Sequence, residues 1–159
     1  MNVRTATEAD FNLILNLVNS AFQVERFFKN QDRLDPGDLA RQFKEGTFLL
    51  TEDKGTLTGC INVKYQGDRG YFGLLSVDPA HQKSGVGRRL VAAAENLARE
   101  TGAHVMDLKF IHLRAELLGI YRKMGYETTG TEQYPSERTH MLTQPVHFIC
   151  MSKDLSHSK

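Results

Sequence analysis

A glycine-bearing turn set between an apolar strand and an amphipathic helix constrains this chain more than any other feature. Tyr71-Phe72-Gly73-Leu74-Leu75-Ser76-Val77 reads as a strand with little alternation, as expected when both faces are covered. It stops at Asp78-Pro79. Beyond Gln82-Lys83-Ser84-Gly85-Val86-Gly87-Arg88, the residues Val86, Leu90, Val91, Ala94, Leu97 and Ala98 recur at helical spacing up to Gly102. Val105, Met106, Leu108 and Phe110 then form another strand. Strand, crossover helix and strand make a βαβ unit, so these two strands are expected to be parallel.

The turn has the chemistry of an anion cradle. A helix N-terminus presents free amides and partial positive charge, glycines let a ligand approach the backbone, and Lys83 and Arg88 add mobile charge. Two familiar phosphate loops fail on spacing. Lys83-Ser84 precedes Gly85 instead of following a glycine, and the third glycine position after Gly85 and Gly87 is Leu90. The residues alone leave a second reading open, in which the glycines only close a tight turn and Lys83, Arg88 and Arg89 are a solvated first turn.

The flanking sequence supplies the rest of a mixed fold. Val3 and Thr5 suggest a short strand, Thr7 to Asp10 a capping box, and Phe11, Ile14, Leu15, Val18, Ala21 and Phe22 one buried helix face. After Asp35-Pro36-Gly37-Asp38 a second amphipathic stretch uses Leu39 and Phe43. Phe48 to Leu50, then Cys60 to Tyr65 across the Asp53-Lys54-Gly55 turn, form an antiparallel meander. A further helix carries Leu113, Leu117, Ile120, Tyr121 and Met124. The last strands are Tyr126 to Gly130 and Val146 to Met151, and Ser156 to Lys159 is a frayed tail. At 159 residues with no linker or repeat, one domain spanning 1–159 is expected, with a mixed central sheet and helices on both faces.

Composition excludes several function classes. Lys+Arg number 20 against 19 Asp+Glu, so no global field holds a nucleic acid or an anionic membrane. No apolar run approaches the roughly 20 residues of a membrane span, and Met1-Asn2-Val3-Arg4 opens no signal-peptide core. Cys60 and Cys150 lack metal-site spacing and read as two buried small hydrophobes in a reducing compartment. The expectation is a metal-free cytoplasmic protein, monomer or homodimer, with small molecules as partners.

Gln82-Lys83-Ser84-Gly85-Val86-Gly87 resembles the Q/R-x-x-G-x-G/A signature of the GNAT superfamily of acetyl-CoA-dependent N-acetyltransferases. A second match follows at the expected place: Leu117-Leu118-Gly119-Ile120-Tyr121-Arg122-Lys123-Met124-Gly125-Tyr126 resembles that family's closing helix. With Val3-Arg4-Thr5-Ala6 similar to its first strand, the resemblance spans nearly the whole chain. It implies an α/β (α+β) GNAT-like fold in which the strand of Leu74 to Val77 splays from that of Val105 to Phe110. Acetyl-CoA would lie in the gap, on backbone groups of Leu75, Ser76 and Val77, with its pyrophosphate on Gln82, Lys83, Ser84, Gly85, Val86, Gly87 and Arg88.

The resemblance further implies direct attack of a primary amine on the thioester, with Tyr121 protonating the leaving thiolate. Two positions depart from the family pattern. Arg114 stands where many members have Asn, and Phe72-Gly73 where several carry a glutamate base, so no base carries over. Chemistry alone offers Glu25, His81, His112 or a water-linked pair. Acceptor contacts are expected from Glu25 and Arg33, in the aromatic stretch around Phe22, Phe27 and Phe28, and from the polar wall of Tyr134 to His140. The acceptor is expected to be a small-molecule or peptide amine. The rivals are a protein N-terminus or lysine as acceptor, and a non-catalytic acyl-CoA sensor.

Overall fold

Helix starts and sheet register follow from local chemistry in the computed structural model, which describes residues 2–156. Of the expected frayed tail, residues 157–159 lie outside this range. β1 (Val3–Thr5) leads into a 3-10 turn (Glu8–Asp10) and α1 (Phe11–Ala21). The Asp10 carboxylate accepts the Thr7 amide at 2.8 Å, as the capping pattern requires. A 3-10 segment (Phe22–Phe27) prolongs α1, and α2 (Pro36–Glu45) starts where Asp35 accepts the Asp38 amide at 2.8 Å with Pro36 in the first turn.

The meander is β2 (Thr47–Asp53), β3 (Thr56–Gln66) and β4 (Arg69–Val77), followed by a 3-10 turn (Pro79–His81) and α3 (Val86–Glu100). β5 (Val105–Ile111), α4 (Glu116–Lys123), β6 (Glu127–Gln133), a 3-10 segment (Ser136–Met141) and β7 (His147–Asp154) complete the chain. The seven strands form one sheet in the order β1-β2-β3-β4-β5-β7-β6. Among the described residues only β4 and β5 pair in parallel, as the crossover through α3 demands.

Two apolar clusters cover the sheet from opposite sides. On one side α3 and α4 pack Val86, Leu90, Ala94 and Tyr121 onto Phe72, Met106, Leu108 and Phe110. On the other, α1 and α2 set Ile14, Leu17, Val18 and Leu39 on Phe48, Leu50, Cys60 and Leu74. The buried face of α1 thus includes Leu17, while Leu15 is only half-buried.

Three expectations need correction. β4 alternates between buried and half-buried residues instead of being covered on both faces: Tyr71 and Gly73 are half-buried on the face away from α3, and past the bulge Leu75 and Val77 are half-buried on the α3 face. The strand expected at Tyr126 to Gly130 runs from Glu127 to Gln133 and is exposed throughout, as an edge strand can be. Cys150, paired with that edge, is half-buried; only Cys60 is fully enclosed, which pushes its thiol up to about 12. No helix among the described residues is long and apolar enough to cross a membrane.

Candidate active site

A bulge in β4 opens the sheet. Asn62 pairs with Gly73 and Cys60 with Ser76, so Leu74 and Leu75 together oppose Ile61, and Leu74 adopts φ 54° to absorb the extra residue. Side chains therefore change sides. Phe72 points to the α3 cluster, Leu74 to the α1 cluster, and Leu75 and Val77 again to the α3 cluster. The bulge and the added twist carry β4 away from β5. The two strands pair only at Arg69↔Val105, Gly70↔Met106 and Tyr71↔Asp107, although β4 continues to Val77 and β5 to Ile111. The outer edge of Phe72 to Val77 is left with backbone groups that no strand satisfies, a ready place for an extended ligand.

The turn after β4 is built to expose backbone. Asp78 accepts the Ala80 amide at 2.9 Å, Ser84 donates its hydroxyl to the His81 carbonyl, and Gln82 donates its side-chain amide to the Val77 carbonyl at 3.4 Å. Lys83 at φ 69° and Gly85 at φ 87° turn the chain into α3 through the left-handed region. A Cβ on Gly85 would meet no atom within 4 Å, so the space above this residue is open. The first amides of α3 have no intrahelical acceptor and face that space with the positive end of the helix dipole.

The expected cofactor residues thus divide by role. Lys83, Ser84, Gly85 and Arg88 are exposed at the loop. Val86 is buried with only its amide to offer, and Gly87 packs against Val77. Ser76 is buried and spends its hydroxyl on the Leu74 carbonyl at 3.0 Å, so it too can contribute backbone alone.

Tyr121 stands beside the gap on the α3 side. Its ring lies 5.9 Å from Phe72, 6.1 Å from Phe110 and 6.3 Å from Tyr126, and burial pushes its hydroxyl up to about 12. Tyr126 is locked by donating to Glu95 at 2.8 Å, and Lys153 neutralises that carboxylate at 3.1 Å. The aromatic wall holding Tyr121 is therefore rigid.

Across the sheet, the structure gathers charges that are dispersed in sequence. Glu25 is buried and meets Lys29 at 3.1 Å and Arg114 at 3.0 Å; Arg114 also donates to Glu116 at 2.7 Å. Burial holds the Lys29 ammonium below the usual lysine range, and Arg33 and Arg138 push it the same way while Glu25 opposes them. Arg33 lies over the Phe22 ring at 5.5 Å. The expected acceptor residues Glu25 and Arg33 are thus in one neighbourhood, but both Glu25 oxygens are engaged, so it supplies charge to the cluster and is no longer a free base. Arg114, in the family's Asn position, turns to these carboxylates.

His112 is spent on its own surroundings: it stacks on His147 at 4.0 Å, and its Nδ1 accepts the His147 amide at 3.2 Å. His81 keeps a buried Nδ1 without a partner, with Nε2 4.0 Å from Asp53. Sequence reading missed Lys29 and Tyr71, and took in Arg138 only as part of the polar wall of Tyr134 to His140. For Lys29 a signal existed in its i,i+4 spacing from Glu25; Tyr71 joins only through the fold.

Comparison with known proteins agrees with this geometry. The profile described as the acetyltransferase (GNAT) family matches residues 11–126. The L-methionine sulfoximine/L-methionine sulfone acetyltransferase of Salmonella typhimurium is 28% identical over 82% of this chain and 82% of its own. The L-amino acid N-acyltransferase MnaT of Escherichia coli is 27% identical over 82% of this chain and 81% of its own. The structure of yncA from Salmonella typhimurium with its cofactor acetyl-CoA superposes with a TM-score of 0.75 at 22% identity, covering 100% of this chain and 96% of that one, and shares the fold. With the strand gap, the open helix N-terminus and a matching profile over most of its length, the chain belongs to the GNAT acetyltransferase family and is an N-acetyltransferase.

Proposed function

We propose that the chain, as one acetyltransferase domain of residues 1–159, transfers the acetyl group of acetyl-CoA directly to the primary amine of a small molecule that carries a carboxylate. A cytoplasmic monomer or homodimer fits the reading, since two unpaired cysteines suit a reducing compartment. The observation that carries it is the parting of β4 from β5 beside a bare helix N-terminus, with Tyr121 at the gap. The residues present fit acetyl-CoA. The free edge at Leu75, Ser76 and Val77 can bind an extended pantetheine as a strand would, and the amides at Gly85, Val86 and Gly87 can bind a pyrophosphate, with Lys83 and Arg88 adding charge.

Acetyl-CoA supplies an electrophilic acyl carbon and a thiolate leaving group. Tyr121, kept protonated by its burial, donates to the leaving sulfur. An acceptor amine with a pKa of roughly 10 is only about one part in a thousand neutral at pH 7. The cations Lys29, Arg33, Arg114 and Arg138, opposed within the cluster by Glu25 and Glu116, disfavour the ammonium and attract a carboxylate on the same molecule. The names of the Salmonella and Escherichia relatives, which act on amino acids or their analogues, support this acceptor class.

Release of free CoA, measured with L-methionine sulfone, its methyl ester, uncharged amines and peptides, tests the reading. Turnover with the free carboxylate and not with the ester is expected, and peptides alone as acceptors would favour the protein-acceptor alternative. If acetyl-CoA binds but no amine accelerates thioester loss, the chain is a sensor. If Gly85→Glu leaves acetyl-CoA affinity intact in calorimetry, the cradle is misassigned.

A further inference from the structure

Tyr71 is the last residue of β4 that still pairs with β5, so its side chain stands where the strands part. By strand alternation Tyr71 and Gly73 lie on the face opposite Phe72, away from α3. The Tyr71 ring runs along β4 over Gly73. A Cβ at position 73 would sit 3.3 Å from its Cε2 and 3.5 Å from its hydroxyl oxygen, and Tyr71 supplies all the nearest atoms. The absent side chain at Gly73 thus leaves the place that the Tyr71 hydroxyl takes. Arg33, Lys109, Glu132 and Cys150 act on this hydroxyl electrostatically, and Tyr71 and Tyr121 also influence each other. Tyr71 further lines a groove of about 660 Å³ with Glu45, Lys64, Arg69 and Asp107.

The two sides of the gap are not equivalent. On the α3 side it is closed by packed Phe72, Phe110 and Tyr126, which are at most 7% exposed, so an amine has no path there. The opposite face carries the half-buried Tyr71, and Arg33 of the cationic cluster acts on its hydroxyl. An acyl group in the gap therefore has Tyr121 on the closed side and can be attacked only from the side of Tyr71.

We propose that the Tyr71 hydroxyl is an acceptor-binding group: its oxygen accepts an N–H of the incoming amine and aims the nitrogen lone pair at the acyl carbon. The inference rests on the acetyl-transfer reading above. The nitrogen lone pair forms the C–N bond, the C–S bond breaks with its electron pair going to sulfur, and Tyr121 gives sulfur a proton. The proton shed by nitrogen returns to Tyr121 through solvent, and Tyr71 is unchanged. Burial raises the Tyr71 hydroxyl above the usual tyrosine range, so it remains a neutral phenol that orients the amine without keeping its proton.

Tyr71→Phe keeps the ring and removes only the oxygen. With L-methionine sulfone, or the best amine found in the CoA-release panel, kcat/KM is expected to fall about tenfold, chiefly through KM, with calorimetric acetyl-CoA affinity unchanged. Gly73→Ala, which crowds the ring, should lower kcat/KM in the same way and add nothing in the Tyr71→Phe background. In NMR of ring-labelled tyrosine, the resonance lost in Tyr71→Phe should shift when that amine is added to the CoA-saturated enzyme. An unchanged kcat/KM in Tyr71→Phe, or a stationary Tyr71 resonance, overturns the role of Tyr71 while acetyl transfer stands. If the wild type binds acetyl-CoA and acetylates no amine, transfer itself fails and Tyr71 falls with it.

Discussion

Tyr121 shows what a single residue discloses and what it hides. Its spacing with Leu117 and Met124 makes it an ordinary core position, and its match to a family tyrosine implies the proton-donor role proposed above; the structure packs it on Phe72 and Phe110 at the edge of the gap. Its hydroxyl, raised to about 12, stays protonated across any ordinary assay range. Tyr121→Phe is expected to lower kcat about a hundredfold with little change in acetyl-CoA affinity, as for loss of a positioned proton donor. Any alkaline limb of the wild-type rate profile below about pH 10 should therefore survive in the variant, since it belongs to another group. Tyr71 was illegible from sequence: within Tyr71 to Val77 it reads as one more apolar strand residue, and only the empty position at Gly73 reveals its direction.

Elements behave differently, because local signals fix where they start and distant contacts fix where they go. Asp35-Pro36 set the beginning of α2 and Thr7 with Asp10 the approach to α1, both readable as short patterns. The same Asp10 also joins elements. Arg4 of β1 reaches it at 2.7 Å and Glu52 of β2 at 2.8 Å, and mainly the bond from Arg4 lowers Asp10 from 3.8 to about 2. A carboxylate depressed in the folded state contributes stability above its unfolded pKa, and that contribution is lost as pH falls through the folded one. The melting temperature should thus drop more steeply between about pH 4 and about pH 2 in the wild type than in Asp10→Asn, measured by circular dichroism. The β4 bulge had no comparable signature: a leucine at φ 54° is held by register on both sides, not by its own preference.

At the scale of the molecule the site is a defect in an otherwise continuous sheet. β5 is fully paired with β7 on one edge and loses β4 on the other, so the cleft is walled by strands that are themselves well held. A ligand that adds to the edge of β4 should bind only the folded state. Acetyl-CoA at about 100 times its Kd is expected to stabilise the protein by about 2.7 kcal/mol in thermal melts. Hydrogen exchange should locate the effect: amides of Leu75 to Val77 and Gly85 to Arg88 become protected, while the β5–β7 ladder is unchanged. Equal protection everywhere would mean global stabilisation without strand addition.

Sequence alone determined the parallel βαβ unit, the helix caps and the glycine turn, because each depends on residues close in the chain or on a handedness rule that admits one solution. It also determined the family, through two motifs in the right order. Tertiary structure decided the contacts of the proposed acceptor side. Glu25 meets Arg114 across the fold, Tyr71 ends the β4–β5 pairing where the strands part, and His112 is diverted to His147. Such pairings depend on which chain segments the sheet order brings together, and no local pattern records that order. The glycine turn that constrained the fold from the outset thus marks the proposed donor site, while the charge and direction of the proposed acceptor site belong to the assembled molecule.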